Sequence, residues 1–213
     1  MSYENERERM VQKLVGRGYV HSPKVIRAME KMPRHYFVDI GRLAYVDSPM
    51  SIGDGQTISA PHMVGIMLEA LDLHDGQKVM EVGGGSGYHA ALVAEIVGDS
   101  GIVYSIERIE GLALKARKAL ERVGLSERVR MIVGDGSMGY AEEAPYERIF
   151  VTCASPGIPP PLTEQLAEGG KLLIPVGGTY LQDLILATKK RGKIKKRSHG
   201  GCVFVPLVGK HGF

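Results

Sequence analysis

The chain has 213 residues, 44% hydrophobic and 24% charged, enough to bury a full core as one α/β domain. Its net charge of +3 is too small by itself to argue for nucleic acid, and Cys153 and Cys202 form no metal-spaced or CxxC pair, so no metal is expected. The charged start MSYENERERM lacks the apolar core of a signal peptide, and no apolar run approaches a membrane span; a cytoplasmic protein with no membrane partner is expected.

Residues 4–18 read as an amphipathic helix with Met10, Val11 and Leu14 on one face, stopped by Gly16 and Gly18. Ser22 as N-cap and Pro23 at the first position announce a second helix, with Val25, Ile26 and Met29 inward and Met32-Pro33 at its end. Residues 34–55 show no clean period and read as ordered irregular chain crossing toward a crevice. A third helix begins at Ser59, with Val64, Met67, Leu68 and Leu71 at i, i+3, i+4 and i+7.

After His74-Asp75-Gly76 an alternation sets in. Strands are predicted at 78–82, 102–106, 129–133, 147–153 and 171–175, with helices at 88–97, 110–122 and 161–167. Such spacing argues for a mostly parallel sheet with right-handed crossovers. The end, through Leu184–Thr188, Ile194–Arg197 and Cys202–Leu207, reads as hairpin-connected antiparallel edge strands. The expected class is α/β, Rossmann-like, in one domain over 1–213. Residues 1–76 form a helical accessory segment on the substrate side, and 77–213 form the cofactor-binding core and C-terminal hairpin.

The chain is organised around KVMEVGGGSGYHAAL, residues 78–92, a strand, glycine turn and helix of the kind that opens cofactor-binding sheets. The dinucleotide fingerprint needs a third glycine where Tyr88 stands. The pattern is instead G-x-G-x-G (Gly83, Gly85, Gly87), and no P-loop Lys-Ser/Thr follows. A cofactor without phosphates is favoured, and S-adenosylmethionine fits best. Acids sit at successive strand ends: Glu81, then Glu107, placed to take ribose hydroxyls, then Asp135-Gly136, placed to accept from an adenine amino group. These loops read as lacking a basic group to meet a phosphate. In GQTISAPHM (55–63), Ser59 stands where a helix starts and His62 falls in its first turn. Spacing alone assigns Ser59 to capping.

IGDGQTISAPHM, VMEVGGGSGYHAALVA, VGDG, GGKLLIPVG and VFVPLVGKHGF, in that order, resemble the protein-L-isoaspartate O-methyltransferases from about residue 20 onward. TISAPH is the specific part; the glycine block resembles a wider class of methyltransferases. The resemblance implies methyl transfer from S-adenosylmethionine, leaving S-adenosylhomocysteine, to the α-carboxylate of L-isoaspartyl residues in damaged proteins and peptides. The ester then closes to a succinimide that can reopen as aspartate. Position by position, Ser59 matches the active-site serine. Gln56, Thr57, Ile58, Ser59, His62, Glu81, Gly83, Gly85, Gly87, Glu107, Asp135 and Gly136 match the cofactor site, and Thr57, Ser59 and Ala60 are assigned to substrate. Asp54, Gly84 and His89 depart from the pattern. A monomer is expected.

The rival reading is a methyltransferase of the same core with a small-molecule or RNA acceptor, invited by KKRGKIKKR (189–197), where seven of nine residues are basic. That run lacks interleaved aromatics and reads as a lysine-loaded edge strand, so no nucleic-acid partner is expected. A non-catalytic adenosylmethionine sensor would not need TISAPH, and an oxidoreductase fails at Tyr88.

Overall fold

The computed structural model describes residues 2–213. Helix α1 (Tyr3–Gly16) is capped by the Ser2 hydroxyl, which accepts from the Asn5 amide, and it buries Met10, Val11 and Leu14. Helix α2 (Pro23–Lys31) starts on its proline. The Ser22 side chain does not cap it, however. Its hydroxyl donates to Glu69, whose Oε1 also accepts from the His21 and Ser22 amides at 2.8 Å. A carboxylate from the third helix thus replaces the predicted local cap.

The stretch read as irregular holds two 3₁₀ turns, Arg34–Tyr36 and Gly41–Tyr45, and then a small hairpin, β1 (Met50–Gly53) with β2 (Gln56–Ile58). Asp54 and Gly55, with φ of 53° and 70°, make its two-residue turn. Both central residues are left-handed, as the twist of a tight hairpin demands. Helix α3 (Pro61–Leu71) begins two residues later than predicted, with Ala60 at the cap position. Ser59 is therefore not its N-cap. Pro61, with φ preset for a first helical residue, fixes the start instead.

The core follows as β3 (Lys78–Val82), α4 (Tyr88–Val97), β4 (Ile102–Glu107), α5 (Glu110–Arg122), β5 (Val129–Val133), β6 (Tyr146–Val151), α6 (Pro160–Glu164), β7 (Leu166–Gly177), β8 (Gln182–Lys190) and β9 (Lys193–Cys202). One sheet has the order β5-β4-β3-β6-β7-β8-β9. Its first five members run parallel, and β8 and β9 are antiparallel additions. Two boundaries move: α6 is shorter than predicted, and β7 absorbs its expected last turn. Residues 203–207 are no strand. They fold back over the end of β6, where Ala154 N donates to Val205 O and Leu207 N to Ala154 O, both at 2.7 Å.

Apolar clusters lie on both faces of the sheet. One joins α1 to α5 with Val79, Val103 and Phe150; the other gathers Met80, Val82, Ile106, Ile149 and Leu172. Helix α4 is apolar on nearly every side because the sheet lies beneath it and the N-terminal helices lie above it. The chain winds from β3 outward through β4 and β5, then returns to lay β6 on the other side of β3. That reversal opens a crevice outside the carboxyl ends of β3 and β6, where sheets of this kind bind ligands.

Candidate active site

The glycine turn after β3 sits in the crevice. Gly83 has a φ of 90°, and a β-carbon there would come within 2.5 Å of Thr152 Oγ1, so only glycine fits. Thr152, just past β6, donates its hydroxyl to Gly83 O at 2.5 Å and lies within 3.1 Å of Val82 O. Gly87, with φ of 83°, occupies the N-cap of α4 against Ala116. It shapes the turn and lines none of the cavities described below. Gly84 is required by Ser105 and Met131, which crowd the place of its β-carbon.

Glu107 closes β4 as predicted. Its Oε2 accepts from the Gly85 amide and its Oε1 from the Ile109 amide, each at 2.8 Å. It faces a cavity lined also by Ile52, Gln56, Gly83, Gly136 and Val205–Val208. This cavity suits a phosphate-free ligand. The Gly85 amide is spent on the Glu107 carboxylate and cannot also meet a phosphate. Exposed Arg108 lines the cavity, a cation that the sequence reading did not count.

Two expected acids stand elsewhere. Asp135 is not among the residues lining the cavity. Its oxygens accept from the Ser137 and Lys210 amides at 2.9 and 2.8 Å, tying down the C-terminal tail, while the neighbouring Gly136 faces the cavity. Glu81 lies behind the glycine turn, cross-strand from Ser105, which donates to its Oε2 at 2.5 Å. It is fully buried, its Oε1 has no hydrogen-bond partner among the described residues, and burial pushes its pKa up to about 8. His89, packed 4.6 Å from the Phe150 ring, has its pKa pushed down to about 3 by burial. Both are neutral near pH 7, and both line a smaller cavity with Thr57, Ile58, Ser59, Gly83 and Tyr88.

The sign of Glu81's effect on stability follows. The folded protein holds a proton that the unfolded chain releases near pH 4.5, so stability falls as pH rises through that interval toward pH 8. Glu81→Gln is expected to raise the melting temperature at about pH 9 by roughly 10 °C and to leave it unchanged near pH 4. Melting curves that run parallel for both proteins across that range would refute this.

A third cavity, broader and open, is lined by Pro49, Thr57, Ser59, Ala60, His62, Thr152, Gly201 and Cys202–Pro206. Thr57 and Thr152 border all three cavities, and Ser59 borders the second and third. His62 faces the open side only, with its amide and Nδ1 both on Asp47 Oδ1, at 2.9 and 2.8 Å. That occupied amide, together with Pro61, leaves the first turn of α3 a poorer anion site than the sequence suggested.

Sequence reading passed over Arg34, Asp47 and Thr152. Thr152 lies inside the strand predicted at 147–153; the structure ends that strand at Val151 and leaves the threonine just past it, at the crevice. Arg34 is fully buried, with Nε on Ala44 O at 2.8 Å, Nη2 on Ser59 O at 2.7 Å and its guanidinium 4.8 Å from the Tyr88 ring centre. Nothing local in PRHY signals that role. Among the described residues no group of His, Cys, Asp and Glu could hold a metal ion, and no helix is long and apolar enough to cross a membrane.

The model of the family described as protein-L-isoaspartate(D-aspartate) O-methyltransferase matches residues 5–212. A protein-L-isoaspartate O-methyltransferase of Methanopyrus kandleri is 54% identical over 99% of this chain and 95% of its own. One from Pyrococcus horikoshii is 52% identical over 97% and 94%. Among solved structures, one described as a protein-L-isoaspartate O-methyltransferase of Plasmodium falciparum in complex with S-adenosyl-L-homocysteine superposes with a TM-score of 0.87. It shares 29% identity over 95% of this chain and 98% of that one.

Proposed function

The chain belongs to the protein-L-isoaspartate O-methyltransferase family, and from that premise we infer which residues of the crevice carry the reaction. The enzyme methylates the free α-carboxylate of L-isoaspartyl residues in damaged proteins, using S-adenosylmethionine, and so begins their repair. The observation that carries our assignment of sites is the meeting of the cavities. The Glu107 cavity and the open Ser59 cavity share Thr57, Thr152, Val205 and Pro206 among their lining residues.

Glu107, Gly83, Gly85, Gly136 and Gln56 would hold the adenosyl part. Glu81, neutral and one-sided in its bonding, would face the ligand's positive end from behind the turn. When bound, the cofactor supplies an electrophilic methyl on a sulfonium. The rest falls to the protein. An isoaspartyl α-carboxylate, with a reference pKa of about 4, arrives ionised, so no side chain has to remove a proton. Ser59, half-buried at the junction, donates its hydroxyl to one carboxylate oxygen and leaves the other to attack. Thr57 and Ala60 border the same oxygen-binding corner. The apolar side chains of Val203–Pro206 and Pro49 would displace water from one side of a seated acceptor, which strengthens each of these bonds and helps align the nucleophile. All these groups come from one chain, so a monomer suffices.

Ser59→Ala tests the assignment. Loss of one hydrogen bond to a charged group is expected to lower kcat/KM for an isoaspartyl peptide by about 10- to 100-fold. Affinity for S-adenosylhomocysteine, measured by calorimetry, should hold within about twofold. Collapsed affinity would move Ser59 into the cofactor pocket and overturn its role. An RNA or small-molecule acceptor is not favoured.

A further inference from the structure

The basic run at 189–197 is unused by the reaction, and the fold gives it a definite place. It occupies the tip of the β8–β9 hairpin and most of β9, the outermost strand of the sheet. Seven of the chain's 27 Lys and Arg fall there, so the remainder carries 20 against 24 acidic residues, a net of −4. Lys189 is spent on the carbonyls of Thr163, Glu164 and Leu166. Lys190, Arg191, Lys193, Lys195, Lys196 and Arg197 are exposed, and none of them forms an ion pair among the described residues. Lys193, Lys195 and Arg197 alternate onto one face, opposite Ile194, which packs toward the apolar cluster.

Strand β9 does not merely edge the sheet. Its last residues, Gly201 and Cys202, and the 203–206 segment that follows are the wall of the open cavity beside Ser59. The cations therefore form a line leading out of the acceptor site. At about 3.4 Å per residue, Arg197 lies roughly 17 Å and Lys193 roughly 30 Å along the strand from Cys202. The outer edge of β9 also leaves main-chain donors and acceptors unpaired, the groups an extended polypeptide can meet.

We propose that β9 is a specificity-determining surface, which selects isoaspartyl polypeptides bearing acidic residues about five to nine positions from the damaged residue. The proposal rests on the activity assigned above. Charge complementarity favours an acidic partner, and continuity with the Ser59 wall favours one that enters the acceptor cavity. The absence of aromatic residues among the cations disfavours single-stranded RNA, whose bases need stacking partners.

The test uses the full-length enzyme and three peptides with one isoaspartyl core, each carrying a Glu, Ser or Lys tail beyond a spacer of about six residues. Tails are placed on the amino side in one set and on the carboxyl side in the other. In at least one set KM should rise from Glu to Ser to Lys, by about fivefold or more per step at low salt, with kcat unchanged and the differences closing at about 0.5 M salt. Lys193→Glu, Lys195→Glu and Arg197→Glu together should reverse the order while leaving the Ser-tailed peptide and S-adenosylhomocysteine affinity unchanged. Replacing the same three residues by Ser should flatten the order.

Equal KM values for all tails would show that the lysines only guard the edge against pairing, and the proposal would fall alone. Salt-sensitive retention of single-stranded RNA by the wild type, lost in the triple variants and without a tail preference, would assign the strand to nucleic acid. Methylation of none of the peptides would overturn the assigned activity and this proposal with it.

Discussion

Glu107→Ala is expected to weaken S-adenosylhomocysteine binding by about 100-fold or more, roughly 3 kcal/mol, in a protein that still folds. The carboxylate has two jobs in the structure. Its oxygens receive the Gly85 and Ile109 amides, which shapes the glycine turn and the start of α5, and its remaining lone pairs face the cavity. Truncation removes both acceptors and leaves two amides without partners at the mouth of a ligand site. Glu107→Gln should do nearly as badly for a reason particular to the site. An amide has one accepting atom, so one backbone N–H would then face an NH₂ donor. Calorimetry on both variants checks this, with circular dichroism to confirm the fold. Wild-type affinity in the glutamine variant would show that the oxygens act independently of the turn.

Arg34→Met is expected to cost about 3 kcal/mol of stability and to raise KM for isoaspartyl peptides more than it lowers kcat. Among the described residues no carboxylate is hydrogen-bonded to this buried cation. It is held by the carbonyls of Ala44 and Ser59 and the face of Tyr88, and burial pulls its pKa down from the ordinary guanidinium value. Its removal strands two carbonyls and releases the main chain at Ser59, the residue assigned to hold the acceptor. Arg34→Lys keeps the charge but can reach the two carbonyls only as a compact point donor, so partial recovery of both stability and KM is expected. Denaturant unfolding and steady-state kinetics measure these separately. A methionine variant within about 1 kcal/mol of wild type, with unaltered KM, would reduce Arg34 to a packing residue.

How far the site was legible varies with the range of the forces that build it. Gly83, Gly85 and Glu107 declared themselves because a strand end, a glycine turn and a helix start are adjacent in sequence. Ser59 was marked as important by the TISAPH likeness, yet its predicted capping role failed. The decisive contact at its carbonyl comes from Arg34, 25 positions away. Glu81 and Asp135 look alike as strand-end acids in the sequence. The fold turned one inward beneath α4 and pinned the other to the tail at Lys210. The hairpin at 50–58 escaped notice because its strands have only four and three residues, too few to show a period.

The order of apolar runs, their spacing and the glycine positions determined the class of fold, the place of the cofactor crevice and, through likeness to a family, the reaction. These depend on contacts within about twenty residues, which a one-dimensional pattern preserves. Tertiary structure alone decided which polar groups face the ligand, which are consumed by the backbone, and that a line of cations leads into the acceptor wall. Those outcomes depend on which distant segment arrives to meet each donor, acceptor or charge.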